Sequence, residues 1–438
     1  MNVSWRTNLW VVPSLIVTAA LAVFVMSQSL DRAHYNGAIT LPGWLDQGSA
    51  ADARALLSAT AGAIITTLGL VLSITVLTLS IAASQFGQRL LRRYMRDRGT
   101  QACIGIFAAT FVFSLLTLLS VTSRSNEKEY VPWVSIWIST VWALACIGVL
   151  IYYINHVALS IQVNNVLAEL SSDFRWVMRQ NHGSTAPLRV PIPEVRSDLA
   201  LAAAVTGYVQ LIDFHALVSA AAEADAVVRF LFRPGQFVIK GTTLAVAEGL
   251  EVRRSRLAEV FGRTVRIGVR RTLVQDPEFA LAQIVEIALR AMSPGINDPN
   301  TAVTCVNWLT DCLRELAQYT PKSAVHVDSG GNARVIEHLN EFQHVVAAAY
   351  GPIRQVATNS QMLTIGVLNS ISLIAPFVEG EARKEALNTQ AQLAREGFFS
   401  AAASRGCEDV TAAYRLAVDA LHLPDRSMGT IALQSQHS

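Results

Sequence analysis

Residues 63–84 read AIITTLGLVLSITVLTLSIAAS, a run of Ile, Leu, Val, Ala, Gly, Ser and Thr without a single charge. A helix rises 1.5 Å per residue, so this run reaches across a hydrocarbon core of about 30 Å. Outward from it lie three more uncharged stretches of spanning length, at 9–27, 102–122 and 132–154. Four transmembrane helices within residues 1–155 are therefore expected. The stretch 9–27 is longer than the ~7–15-residue apolar core of a signal peptide, and Ser27-Gln28-Ser29 makes a poor cleavage site. Composition agrees. Charged residues are 16% of the 438, against a usual share of about 25%, and 52% are hydrophobic. Mean hydropathy is +0.36. That excludes a disordered or collagen-like chain, and a net charge of +2 is too small to make nucleic acid an expected partner.

Loop charges orient the spans. The segment after the second holds Arg89, Arg92, Arg93, Arg96 and Arg98 against Asp97, whereas the segments after the first and third are near balance. By the positive-inside rule the arginine-rich loop and both termini are cytoplasmic, which suits a bacterial inner membrane. Trp133 and Trp137 at one end of the fourth span, and Tyr152 and Tyr153 at the other, read as interfacial aromatic belts. The five cysteines (Cys103, Cys146, Cys305, Cys312, Cys407) form no C-x-x-C pair and read as isolated reduced thiols.

Beyond residue 155 the chain is long enough to bury a core of its own. Residues 156–203 read as a connecting helix and linker, with Pro187, Pro191 and Pro193 in the linker. Residues 204–272 read as a small α+β, barrel-like module: a strand at 205–212, a short helix at 214–223, then strands at 226–232, 237–239 and 242–247. The run RPGQFVIKGTTLAVAE resembles the turn-and-strand unit of biotinyl and lipoyl carrier domains. It lacks the methionines that flank a carrier lysine, so Lys240 reads as a turn residue and no cofactor is expected. Residues 273–423 read as helical. Asp276-Pro277 and Asp298-Pro299 each place a capping acid before a proline at a helix start. Breaks are expected at Gly351-Pro352 and near Pro376, and a disordered tail at 424–438. Cys305 and Cys312, seven apart, read as core thiols rather than metal ligands. The apolar stretch 357–376 reads as a buried soluble helix.

Three groups of residues are candidates for function. Gly62, Thr66, Gly69, Ser73, Ser80 and Ser84 fall on one face of the second span at helical spacings. A stripe of small polar residues suits a water-filled path, and equally suits close helix packing with hydroxyls bonded to their own backbone. Arg89, Arg92, Arg93 and Arg96 suit a basic face gripping anionic headgroups, or a ring of charge around a vestibule. A second arginine-rich stretch, from Arg253 to Arg271, suits ion pairs or lipid headgroups. The turn Ser293-Pro294-Gly295-Ile296-Asn297-Asp298-Pro299 joins two helices. Gly295 and Asn297 tolerate positive φ and would suit an anion nest, but the Asp298 charge favours a structural turn. No nucleophile–base pair, H-E-x-x-H or G-x-S-x-G is present, and no metal set is seen.

Several stretches together, among them ADARALLSATAGAIITTLGLVLSITVLTLSIAASQFGQRLLRRYMRD, TGYVQLID, RPGQFVIKG and RTLVQDPEFALAQIVEIALRAMSPGINDPNTA, resemble the bacterial membrane protein family catalogued as domain of unknown function 2254. The resemblance implies a membrane protein with a cytosolic C-terminal region and carries no catalytic residue. Three functional readings stand. One is a homo-oligomeric ion- or solute-conducting pore with a cytosolic vestibule or regulatory domain. Another is a membrane-anchored ligand-sensing or scaffold module, and the last is a membrane enzyme. Expected partners are anionic lipid headgroups, further copies of the chain, and an ion or small-molecule ligand of unspecified identity.

Overall fold

In the computed structural model the described residues are 10–40, 42–43, 48–86, 97–122, 129–160, 162–181, 199–248, 254–319, 324–338, 341–401 and 407–422. The chain divides into two units, Met1–Asn165 and Val166–Ser438.

The first unit holds α1 (Val11–Tyr35), α2 (Ala50–Phe86), α3 (Arg98–Ser120) and α4 (Trp133–Ser160). All four are long and apolar enough to cross a membrane. They outrun the uncharged stretches because backbone hydrogen bonding continues past the first charge. Thus α1 carries Asp31, Arg32 and His34 in its last turns. Asp97 caps α3 by accepting the N–H groups of Gly99 and Thr100. The buried face of α2 is Ala53, Leu57, Ala61, Ile64, Val71, Thr78 and Ala82, a helical repeat turned toward α3. At Gly105 of α3 a Cβ would lie 2.8 Å from the Ile16 side chain and 3.0 Å from Pro13 Cα. Its absence lets α1 approach α3 closely. Tyr152 keeps an exposed position stacked on His156, but Tyr153 is not part of an interfacial belt. It is fully buried, because its hydroxyl finds partners inside the bundle: the Val71 carbonyl at 3.0 Å and Thr75 Oγ1 at 2.7 Å.

From α5 (Val163–Asn181) onward the second unit alternates short strands and helices. The strands are β1 (Leu199–Ala202), β2 (Gly207–Ile212), β3 (Val227–Phe230), β4 (Phe237–Val238), β5 (Thr243–Glu248), β6 (Val265–Gly268), β7 (Val325–Val327) and β8 (Ala333–Ile336). They form two open sheets, ordered β1-β5-β3-β8-β7 and β4-β2-β6. No closed barrel forms among the described strands, so the expected barrel-like module is a pair of sheets. With them pack α6 (Phe214–Glu223) and α7 (Arg254–Thr264), around a core that includes Leu217, Val228, Phe230, Leu244 and Phe261. β7 and β8 come from the stretch read as helical. β8 pairs in parallel with β3, Val228 opposite Val335 and Arg229 opposite Ile336.

The remainder is helical: α8 (Glu278–Ala291), α9 (Pro299–Ala317), α10 (Phe342–Ala357), α11 (Gln361–Ile374), a 3-10 turn (Ala375–Phe377), α12 (Glu381–Ala401) and α13 (Cys407–His422). The expected break at Gly351-Pro352 does not occur. Pro352 lies inside α10, where burial of Val346, Ala349, Tyr350 and Ile353 outweighs a proline cost of about 3 kcal/mol. The break near Pro376 is present as the 3-10 turn. Leu363, Val367, Leu368, Ile371 and Ile374 bury one face of α11, while Met362 and Leu373 on the other are exposed. The Cys305 and Cys312 thiols face the core of α9, and burial pushes both up to about 12, which makes them inert. The linker prolines, the four juxtamembrane arginines and the tail at 424–438 lie outside the described residues.

Candidate functional site

The polar stripe of α2 points away from the chain's own bundle. Gly62, Thr66, Gly69, Ser73, Ser80 and Ser84 are all exposed, on the side opposite Ile64, Val71 and Thr78. Nothing lies within 4 Å of where a Cβ would stand on Gly62 or Gly69. The hydroxyls turn back on their own helix. Thr66 donates to the Gly62 carbonyl, Ser73 to Gly69 and Ser84 to Ile81, each at 2.8 Å. Among the described residues, the stripe from Gly62 to Ser80 therefore neither packs against another helix of the chain nor lines an internal path. Arg89, Arg92, Arg93 and Arg96, which follow it in sequence, are outside the described residues.

Other hydroxyls do meet across helices: Thr75 of α2 meets Tyr153 of α4, and a larger group lies on α3 and α4. Thr110, Ser114 and Thr117 of α3 are buried, as are Ser135 and Ser139 of α4. Ser114 and Ser139 hydroxyls stand 2.7 Å apart, and Thr110 Oγ1 lies 3.4 Å from Cys146 Sγ. An acid closes each end of this seam. At one end Asp31 of α1, 3% exposed, accepts the N–H groups of Val134 (2.8 Å) and Ser135 (3.1 Å) and the Ser135 hydroxyl (2.6 Å). An acid on one helix thus caps the start of another. Beside it Gln28 donates to Ser120 and accepts from Tyr130. At the other end Asp97 meets His156 Nε2 at 2.6 Å. A Cβ on Gly99 would lie 2.7 Å from that same nitrogen.

Sequence reading picked the hydroxyls of α2 and passed over those of α3 and α4. The signal was present: Thr110, Ser114 and Thr117 follow a 4–3 spacing, and Ser135 and Ser139 are four apart. Asp31 was missed because it lies past the charge-free stretch, though still on the helix.

In the second unit the two sequence blocks RPGQ and QDPEFA meet. Gly235 takes φ +92°, and a Cβ there would run into the Asp276 carboxylate. Asp276 receives Arg271 through Nε (2.8 Å) and Nη2 (3.0 Å), and Arg233 pairs with Glu278 at 3.1 Å. Desolvation pushes the Asp276 carboxyl up to about 6, against the pull of Arg271. Gln275 bonds both the N–H and the carbonyl of Ile212, at 2.7 and 2.9 Å, finishing β2 as a neighbouring strand would.

The turn at 293–299 uses its own amides. Ile296 and Asn297 N–H groups donate to the Ser293 carbonyl, and Asp298 N–H to Ala291. Asn297 has φ +48°, while Gly295 is not among the positive-φ glycines. Asp298 caps α9 through Thr301 N–H (3.0 Å) and hydroxyl (2.6 Å), and the Thr301 bonds lower its pKa. Few donors remain for a bound anion. Elsewhere Arg256 pairs with Glu223 and Arg263 with Glu259. No group of three potential metal ligands occurs among the described residues.

Comparison with known proteins gives a family and no activity. An uncharacterized protein of Mycobacterium tuberculosis (strain H37Rv) is 31% identical over 359 residues, covering 79% of this chain and 68% of the relative. An uncharacterized Mycobacterium bovis protein shows the same identity and coverage. No solved structure matches. The model of the family described as "Predicted membrane protein (DUF2254)" matches residues 6–372, well over half of the chain, with α1 to α4 supplying the spans that description implies. The chain belongs to this family of predicted membrane proteins.

Proposed function

We propose that the protein assembles as a homo-oligomeric pore for ions or small solutes in a bacterial inner membrane. In this reading both termini are cytoplasmic, and the second unit forms a vestibule or regulatory region. One observation carries it: the face of α2 richest in Gly, Ser and Thr is turned out of the bundle. From Gly62 to Ser84 that face runs about 33 Å at helical rise, one hydrocarbon thickness. An outward face facing only lipid gains nothing from glycines and hydroxyls. Gathered around an axis by several copies, it gives a smooth polar wall, with Arg89 and Arg93 following at the cytoplasmic mouth to favour anions.

The second reading has its own support. Thr66, Ser73 and Ser84 already bond their own backbone, so the stripe tolerates lipid or a packed neighbour without water. A membrane-anchored scaffold follows from that. Ser73→Leu separates the two. Ser73 is exposed, so the change leaves the protomer's own fold intact in either case. A pore loses flux in liposomes while the assembly keeps its size in detergent. A packed interface instead breaks into protomers, because close approach needs small residues. Absence of flux from assembled wild-type protein across varied ions, pH and membrane tension defeats the pore.

A further inference from the structure

The three-stranded sheet has an unusual outer face. Its inner face, Val209, Ile212, Val238 and Val265, belongs to the buried core. Alternation along a one-sided antiparallel sheet calls for polar residues outside. Here Tyr208 stands directly opposite Phe237, their rings 5.2 Å apart, and both point outward. Phe237 is 54% exposed and Ile239, two residues on and on the same side, is 63% exposed. Arg266, paired with Leu211 at the far end of β2, is exposed.

The apolar face continues onto a tip. Lys240 and Gly241 make a tight turn, Gly241 at φ +91°, with Thr242 N–H donating to the Ile239 carbonyl. The loop at 204–206 is fastened alongside, because Lys240 N–H donates to Thr206 Oγ1 at 3.0 Å and Gly241 N–H to the Ala203 carbonyl at 2.9 Å. Val205 in that loop is 50% exposed. The segments 203–212, 233–247 and 265–275, which carry this sheet and its turns, contain no Asp or Glu. Apolar and aromatic side chains at a turn, flanked by cations and free of acids, match what an anionic headgroup layer binds.

We infer that this face, centred on Phe237 and Ile239 and flanked by Lys240 and Arg266, docks on an anionic bilayer surface. The inference does not depend on the pore. Each cation near such a surface strengthens attachment roughly fivefold, so the two together act as a salt-sensitive clasp.

The test uses the full chain in lipid nanodiscs. Of the five cysteines only Cys407 is not fully buried, so Cys407→Ser gives a background for Ile239→Cys carrying an NBD label. Discs of phosphatidylcholine alone are compared with discs containing phosphatidylglycerol, each with and without nitroxide-bearing lipid. The expected result is blue-shifted emission, quenched by nitroxide lipid, in the anionic discs only. It reverts in high salt and in the Lys240→Glu/Arg266→Glu variant. A label that reports water in both discs overturns the inference, as does quenching that ignores lipid charge or the reversal. A shielded label that nitroxide lipid does not quench, with crosslinking between chains at position 239, places a second copy there and overturns it as well.

Discussion

α2 and α3 carry the same kind of side chain to opposite ends. On α3, Thr110, Ser114 and Thr117 are buried, and Thr110 and Ser114 meet Cys146 and Ser139 of α4. On α2, Thr66, Ser73 and Ser84 donate to carbonyls of their own helix and are exposed. A hydroxyl in a membrane helix therefore has no fixed meaning. On the inner face it fastens helices to one another, while on the outer face it stays available to whatever surrounds the protomer.

The contrast breaks first at its charged end. Asp31→Ala removes an acceptor for two α4 amides and the Ser135 hydroxyl, leaving them buried without it. We expect a loss of about 3 kcal/mol or more in the unfolding free energy of the first unit in detergent. Retention of wild-type stability sinks the interior seam as a structural device.

Asp276 extends the comparison to a buried acid outside the membrane. Its folded pKa of about 6 lies above that of an unfolded aspartate, about 3.9. Over that interval the folded chain binds more protons, so stability falls as pH rises toward 6 and is level above it. The drop is on the order of 2–3 kcal/mol. Hydrogen-exchange protection of Glu278–Ala291, corrected for the intrinsic base-catalysed rise with pH, should fall across this window in wild type, and Asp276→Asn should flatten the slope.

Tyr153→Phe tests a single tie between α4 and α2. Loss of the bonds to Val71 and Thr75 should cost about 1 kcal/mol by detergent unfolding. Smallest of all, Ser73→Ala should change protomer unfolding by no more than about 0.5 kcal/mol. A larger loss would mean that the outer stripe supports the bundle after all.

Periodicity made the four spans legible, and capping chemistry placed Asp298 at the start of α9. The expected helix at 214–223 is α6, because Asp213 stops β2 and accepts the Ala216 N–H. What periodicity leaves open is a neighbour's identity. It located the stripe on one face of α2 but not the side from which α3 approaches. Tyr153 looked interfacial by position, and only the nearby Val71 carbonyl explains its burial. β1, β7 and β8, of three or four residues each, are too short to show alternation. β1 pairs with β5 and β8 with β3, both distant in sequence. Pro352 was misread because its local cost is visible in the sequence, whereas the burial that offsets it is not.

The parallel pairing of β3 with β8 also sets an order of events during synthesis. Val228 waits for Val335, more than a hundred residues downstream, before its strand has both neighbours. Until then β3 is an open edge of the growing sheet, in addition to β1, that other nascent chains can occupy. Closing so long a loop is slow. A chaperone, or a pause in translation before residue 336, would therefore govern yield here.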